Sequence, residues 1–143
     1  MRLSILLALI SLSALLSSCN NGINSSSYVR PAERGLDQTS AELRKMQVSN
    51  PSYQIHLGLN AQGSDFSGNN IIDFDFQPLA NRKGSDLTID FTNGTIEQLS
   101  INGKPGDYQY NGFFISIPEQ QLVTGNNRIE ISYSHPYSKD GAG

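Results

Sequence analysis

The sequence predicts a mainly β domain: an antiparallel β-sandwich or saddle-shaped curved sheet of about seven strands, preceded by one short α-helix. Three observations predict it. Apolar residues alternate with polar ones from Tyr53 to Tyr133. Three Asn-Gly pairs, at 93–94, 102–103 and 111–112, punctuate the alternating runs. No helical pattern separates one run from the next, which excludes a parallel α/β sheet.

The alternation places the elements. Tyr53, Ile55, Leu57 and Leu59 alternate with Gln54, His56 and Gly58, so the four apolar side chains form the expected inward set. A turn at Gly63-Ser64-Asp65 follows. Ile72, Phe74 and Phe76 alternate with Asp73 and Asp75, and Pro78 closes that strand. Leu87, Ile89 and Phe91 form the next run, and Asn93-Gly94 reads as a hairpin turn into Ile96–Ile101. Asn102-Gly103 leads to Tyr108–Tyr110, and Asn111-Gly112 to Phe113–Ile117. Ile129, Ile131 and Tyr133 make the last strand. Ahead of them, residues 36–47 predict a helix in which Thr39 and Glu42 have capping-box spacing. Ala41, Leu43 and Met46 give it an apolar stripe, Arg44 and Lys45 suit its carboxyl end, and Asn50-Pro51 stops it.

Composition narrows function by exclusion. The 143 residues suffice for one domain. A net charge of −3 gives no electrostatic footprint for nucleic acid. One Cys forms neither an internal disulfide nor a thiolate metal site.

The chain opens as an address. Met1-Arg2 precedes an apolar run from Leu3 to Leu16, too short to span a bilayer and suited to the core of a secretory signal. It ends in Leu16-Ser17-Ser18-Cys19, which resembles the bacterial lipobox. The resemblance implies a signal peptide over 1–18 and lipidation of Cys19, with several acyl chains giving a stable membrane anchor. Asn20, where an Asp would resemble an inner-membrane retention signal, points to the outer membrane or a periplasm-facing site in a bacterial envelope. Residues 19–35, rich in Asn, Ser and Gly, read as a flexible tether, 36–51 as helix and linker, and 52–143 as the β domain.

Side chains that invite a chemical reading have plainer ones. His56 reads as a surface residue on its strand, and His135 as a loop residue before Pro136. Asp65, Asp73 and Asp75 could suggest calcium, but the last two alternate with core positions and read as a solvated face. Asp90 and Glu97 imply no cleft. Tyr108, Tyr110, Tyr133 and Tyr137 read as cross-strand packing rather than a sugar platform. No residue qualifies as catalytic, cofactor-binding or metal-binding.

The order of seven segments carries a further resemblance. They are S-Y-Q-I-H-L-G-L-N at 52–60, F-S-G-N-N-I-I-D-F at 66–74, D-L-T-I-D-F at 86–91, I-E-Q-L-S-I-N-G-K at 96–104, F-F-I-S-I-P at 113–118, L-V-T-G-N-N-R-I-E-I-S-Y at 122–133 and Y-S-K-D-G-A-G at 137–143. In this order they resemble the amino-terminal saddle-like β domain of the aminopeptidase N family of zinc metallopeptidases. The family binds zinc through H-E-x-x-H on a helix plus a downstream Glu. This sequence contains neither that motif nor the G-A-M-E-N type of substrate grip. The resemblance therefore implies a non-catalytic front module, inactive alone and truncated before the catalytic domain. Zinc and peptide substrates are expected only in the full-length parent enzyme. A curved sheet in that state is expected to keep an unpaired edge and an uncovered face. The alternative is a stand-alone lipoprotein β-sandwich that binds a peptide, glycan or partner protein.

Overall fold

A computed structural model describes Arg30, Pro31 and residues 36–80 and 85–139. The signal at 1–18, Cys19, the rest of the tether and the closing Asp140–Gly143 lie outside the described residues.

Helix α1 spans Gln38–Gln47, and its cap differs from the expected one. Asp37, not Thr39, is the N-cap; its carboxylate accepts a hydrogen bond from the Ser40 backbone N–H at 2.8 Å. A carboxylate caps as well as a hydroxyl and adds favourable charge at the helix start, so the earlier position wins. Glu42 instead accepts from Gln38 Nε2 at 2.8 Å. The apolar stripe docks only in part: Ala41 and Leu43 are half-buried, Met46 is 57% exposed, and the fully buried positions are Ser40 and Gln47. Gln47 donates to the Ser85 carbonyl at 3.0 Å, so a buried polar contact helps seat the helix.

The chain leaves α1 directly into strand β1, Val48–Gly58. Asn50-Pro51 is not the stop between them. It forms a bulge inside β1: the pairing shifts between Ser49 and Ser52, and Asn50 sits at φ 52°. The remaining strands are β2 Asp65–Phe76, β3 Leu87–Asp90, β4 Thr95–Ile101, β5 Lys104–Pro105, β6 Gln109–Tyr110, β7 Phe114–Ile117 and β8 Gly125–Pro136.

All pairings are antiparallel, and the strands form two sheets. A five-stranded sheet has the order β1-β2-β8-β4-β5, and a three-stranded sheet the order β3-β7-β6. The expected mainly β architecture with a single leading helix is therefore observed among the described residues. One turn differs. Asn93-Gly94 does not close a hairpin, because β3 pairs with β7 and β4 pairs with β8. The chain passes there from the small sheet to the large one, and only Asn93 has positive φ, at 57°. Asn102-Gly103 is the two-residue hairpin, with φ values of 52° and 76° between β4 and β5.

One face of the large sheet makes the core. Ile72, Phe74 and Phe76 of β2, Ile129, Ile131 and Tyr133 of β8, and Leu99 and Ile101 of β4 are buried against Leu87, Ile115 and Ile117 of the small sheet. The opposite face carries Asn69, Asp73, Ser132, Glu130 and Arg128, as expected for a one-sided antiparallel sheet.

Candidate functional site

The long strands run past the small sheet, and this mismatch shapes the surface. β1, β2 and β8 have 11, 12 and 12 residues, whereas β3, β7 and β6 have 4, 4 and 2. Among the described residues the narrow layer covers β8, β4 and part of β2, and of β1 only Val48 packs against the core. Tyr53 pairs with the core residue Ile72, Ile55 with Asn70 and Leu57 with Gly68, so the β1 row points to the core side as expected. Yet Tyr53, Ile55, Leu57 and Leu59 are 60%, 59%, 52% and 72% exposed. The expected burial of this set is thus wrong. Alternation fixes which way a side chain points, not whether a second layer lies there.

Next to this row stands an aromatic cluster. Phe66 lies 5.3 Å from the His135 ring and 5.4 Å from Tyr137. Phe91 packs on Tyr110 at 5.6 Å and edge-on to Tyr133 at 5.0 Å. Tyr137 Oη accepts from the Asn60 backbone N–H at 2.8 Å. Tyr110 and Tyr133 thus serve cross-strand and inter-sheet packing.

The two histidines cannot share a ligand. His56 is exposed on the polar side of β1. His135 belongs to β8, not to a loop, and faces the core side, in line with Tyr133. Its Nε2 lies 2.8 Å from the Thr92 carbonyl and its Nδ1 2.7 Å from that of Pro136, so in either tautomer its N–H donates to a backbone carbonyl. Among the described residues no group of three or more His, Cys, Asp or Glu side chains comes together. These residues do not fit zinc.

The carboxylates are held for structural ends. Asp73 forms a bidentate pair with Arg128, at 2.8 Å and 3.0 Å. The Arg128 hydrogen bond holds the Asp73 carboxyl below its ordinary range against a smaller opposing effect of burial, and Arg128 is correspondingly raised. Asp75 accepts from Asn50 Nδ2 and Asp65 from the Ser64 hydroxyl, at 2.8 Å and 2.7 Å.

Asp90 belongs to a cluster that sequence reasoning missed. Arg30 Nη1 lies 2.7 Å from one of its oxygens and Arg44 Nη1 2.8 Å from the other. Arg30 also stacks on Phe114, 4.2 Å from the ring centre, and its side chain is 3% exposed. Burial pushes the Asp90 carboxyl up, but hydrogen bonds from Arg44 and Arg30, and their charges, outweigh it and leave it below the ordinary carboxylate range. Arg30 falls in the stretch expected to be free tether, so the chain is already fastened there. No local pattern announces a cluster whose members come from positions 30, 44, 90 and 114.

No family model matches the sequence, and no curated protein matches it. Solved structures do share the fold. Leukotriene A4 hydrolase from Saccharomyces cerevisiae aligns with a TM-score of 0.55 at 14% identity, over 75% of this chain and 20% of its own. An M1 zinc metallopeptidase from Deinococcus radiodurans aligns with a TM-score of 0.51 at 14% identity, over 64% of this chain and 21% of its own. The yeast hydrolase in complex with bestatin aligns with a TM-score of 0.52 at 13% identity, over 73% and 19%. The chain therefore has a fold found in zinc metallopeptidases of the M1 type and spans about a fifth of each of these neighbours.

Proposed function

We propose that this chain is the non-catalytic amino-terminal β module of a membrane-anchored aminopeptidase N-like zinc metallopeptidase, an enzyme that removes amino-terminal residues from peptides. The carrying observation is the two-sheet fold shared with M1 zinc metallopeptidases over 64–75% of this chain. The order of the seven segments from 52 to 143 supports the same reading. The module contributes packing and positioning, and its own residues perform no zinc-dependent step. The bare β1 row and the aromatic end of the sheet are surfaces suited to contact with a larger body. A lipid on Cys19 would hold the assembly to the bacterial cell envelope.

The gene supplies the first test. Sequence beyond codon 143 is expected to encode H-E-x-x-H in the same or a shifted frame; an unrelated gene there overturns the reading. Purified chain is expected to leave an aminoacyl-anilide intact with or without added zinc. Metabolic palmitate labelling is expected on the wild type and lost in Cys19→Ala.

A further inference from the structure

The two ends of the large sheet are built differently. The β5 edge is two residues long and consists of Lys104 and Pro105, a charge and a residue without an N–H. Such an edge resists pairing with another chain. The β1 edge is an 11-residue strand, and the stretch from Val48 to Leu59 contains no Lys, Arg, Asp or Glu. Its one proline, Pro51, sits in the bulge at its start. Beyond that bulge the strand pairs in unbroken register with β2 on one side, from Ser52 to Gly58. Among the described residues nothing pairs with its other side. A run of backbone donors and acceptors therefore faces outward beside Tyr53, Ile55, Leu57 and Leu59.

We infer that two copies of this chain associate through β1, edge to edge and antiparallel, to form one continuous sheet. An antiparallel strand pair has a two-fold axis, so the same edge serves both partners and the assembly closes at two. The apolar rows of both copies then lie side by side on one face and cover each other's flanks. The flank of the row and the free backbone edge offer on the order of 400–500 Å² per copy, so a pair buries roughly 800–1,000 Å², the range of weak and reversible interfaces rather than permanent ones. An interface of that size forms and dissociates with concentration. No like charges oppose one another across the edge, because β1 has none. The inference concerns the 143-residue chain by itself: a parent body seated on the β1 row, as the proposed function has it, competes with a second copy for this surface, and either reading can fail without the other.

Sedimentation velocity of the full chain over roughly a hundredfold range of concentration tests it. The expected result is a monomer–dimer equilibrium that Ile55→Lys with Leu57→Lys weakens at least about tenfold. Both positions are more than half exposed, so the variant is expected to keep its fold, which circular dichroism checks. The apolar leader is common to both proteins, so association through it does not separate them. Amide exchange at 53–58 is expected to slow with concentration in the wild type only. A monomer at every concentration, or association unchanged in the double variant, overturns the inference.

Discussion

Gly68 of β2 and Tyr133 of β8 are cross-strand partners, and the Tyr133 ring fills the space where a side chain on residue 68 would stand. A Cβ there would overlap Cζ, Oη and Cε2 of the phenol. Tyr133 cannot yield freely, since it is buried with Phe91 packed edge-on against it. Gly68→Ala is expected to destabilise the domain by about 2 kcal/mol, read from the urea midpoint. Tyr133→Leu removes all three overlapping atoms. In that background Gly68→Ala is expected to cost less than half as much, a coupling that a general loss of strand propensity would not produce.

Asp90 sits between two guanidinium groups, one of them buried. Asp90→Asn leaves the Arg30 charge 3% exposed without its counter-ion. The expected loss is about 2 kcal/mol near neutral pH, less than for a fully buried pair because Asp90 itself is 41% exposed. The pH dependence has a definite sign. The folded-state carboxyl lies below its ordinary range, so its stabilisation is complete above about pH 5 and fades as pH falls through and below about 4. Wild type and Asp90→Asn are therefore expected to differ most at neutral pH and to converge in acid. Urea titrations at several pH values check this.

The large sheet was legible because period-two alternation survives in β2 and β8, whose inward residues are the core. The same rule misjudged β1, since burial depends on a second layer contributed by short strands elsewhere. Asn93-Gly94 misled for a related reason. Its chemistry announces a change of direction, and only the partners of β3 and β4 reveal a passage between sheets. The Arg30–Asp90–Arg44 cluster joins Asp90 to residues 46 and 60 positions away, beyond any local pattern. Asn127 was invisible too: it stands in the polar-looking run Gly125-Asn126-Asn127-Arg128, yet it is 0% exposed.

Asn127 organises the entry to β8. Its Nδ2 donates to the carbonyls of Val123 and Gly125 at 2.7 Å and 2.8 Å. Its Oδ1 accepts from the Val123 N–H and from Asn102 Nδ2, each at 3.0 Å. Asn127→Leu keeps the volume and strands these groups, so a loss of about 3 kcal/mol is expected. Asn127→Asp keeps the acceptor but sets its second carboxylate oxygen against the carbonyls of Val123 and Gly125 in a site with 0% exposure, so at neutral pH it is expected to cost at least as much as Leu and to recover as the carboxyl is protonated in acid. Thermal unfolding monitored by circular dichroism ranks the three.

Two glycines near the β4–β5 hairpin separate backbone conformation from space. Gly103 has φ +76° and nothing within 4 Å of an added Cβ, so any penalty there is conformational. Gly103→Ala is expected to cost about 1 kcal/mol, and Gly103→Asn clearly less, because asparagine tolerates the left-handed region. Gly106 has no such φ, but an added Cβ would lie 2.7 Å from Leu99 Cδ2 and 2.8 Å from Ile101 Cδ1. Both are buried core residues. Gly106→Ala is expected to cost about 1–3 kcal/mol through the core, and Gly106→Asn more rather than less. The opposite order of Ala and Asn at the two positions, measured in urea, distinguishes a turn that needs positive φ from a strand exit that needs room.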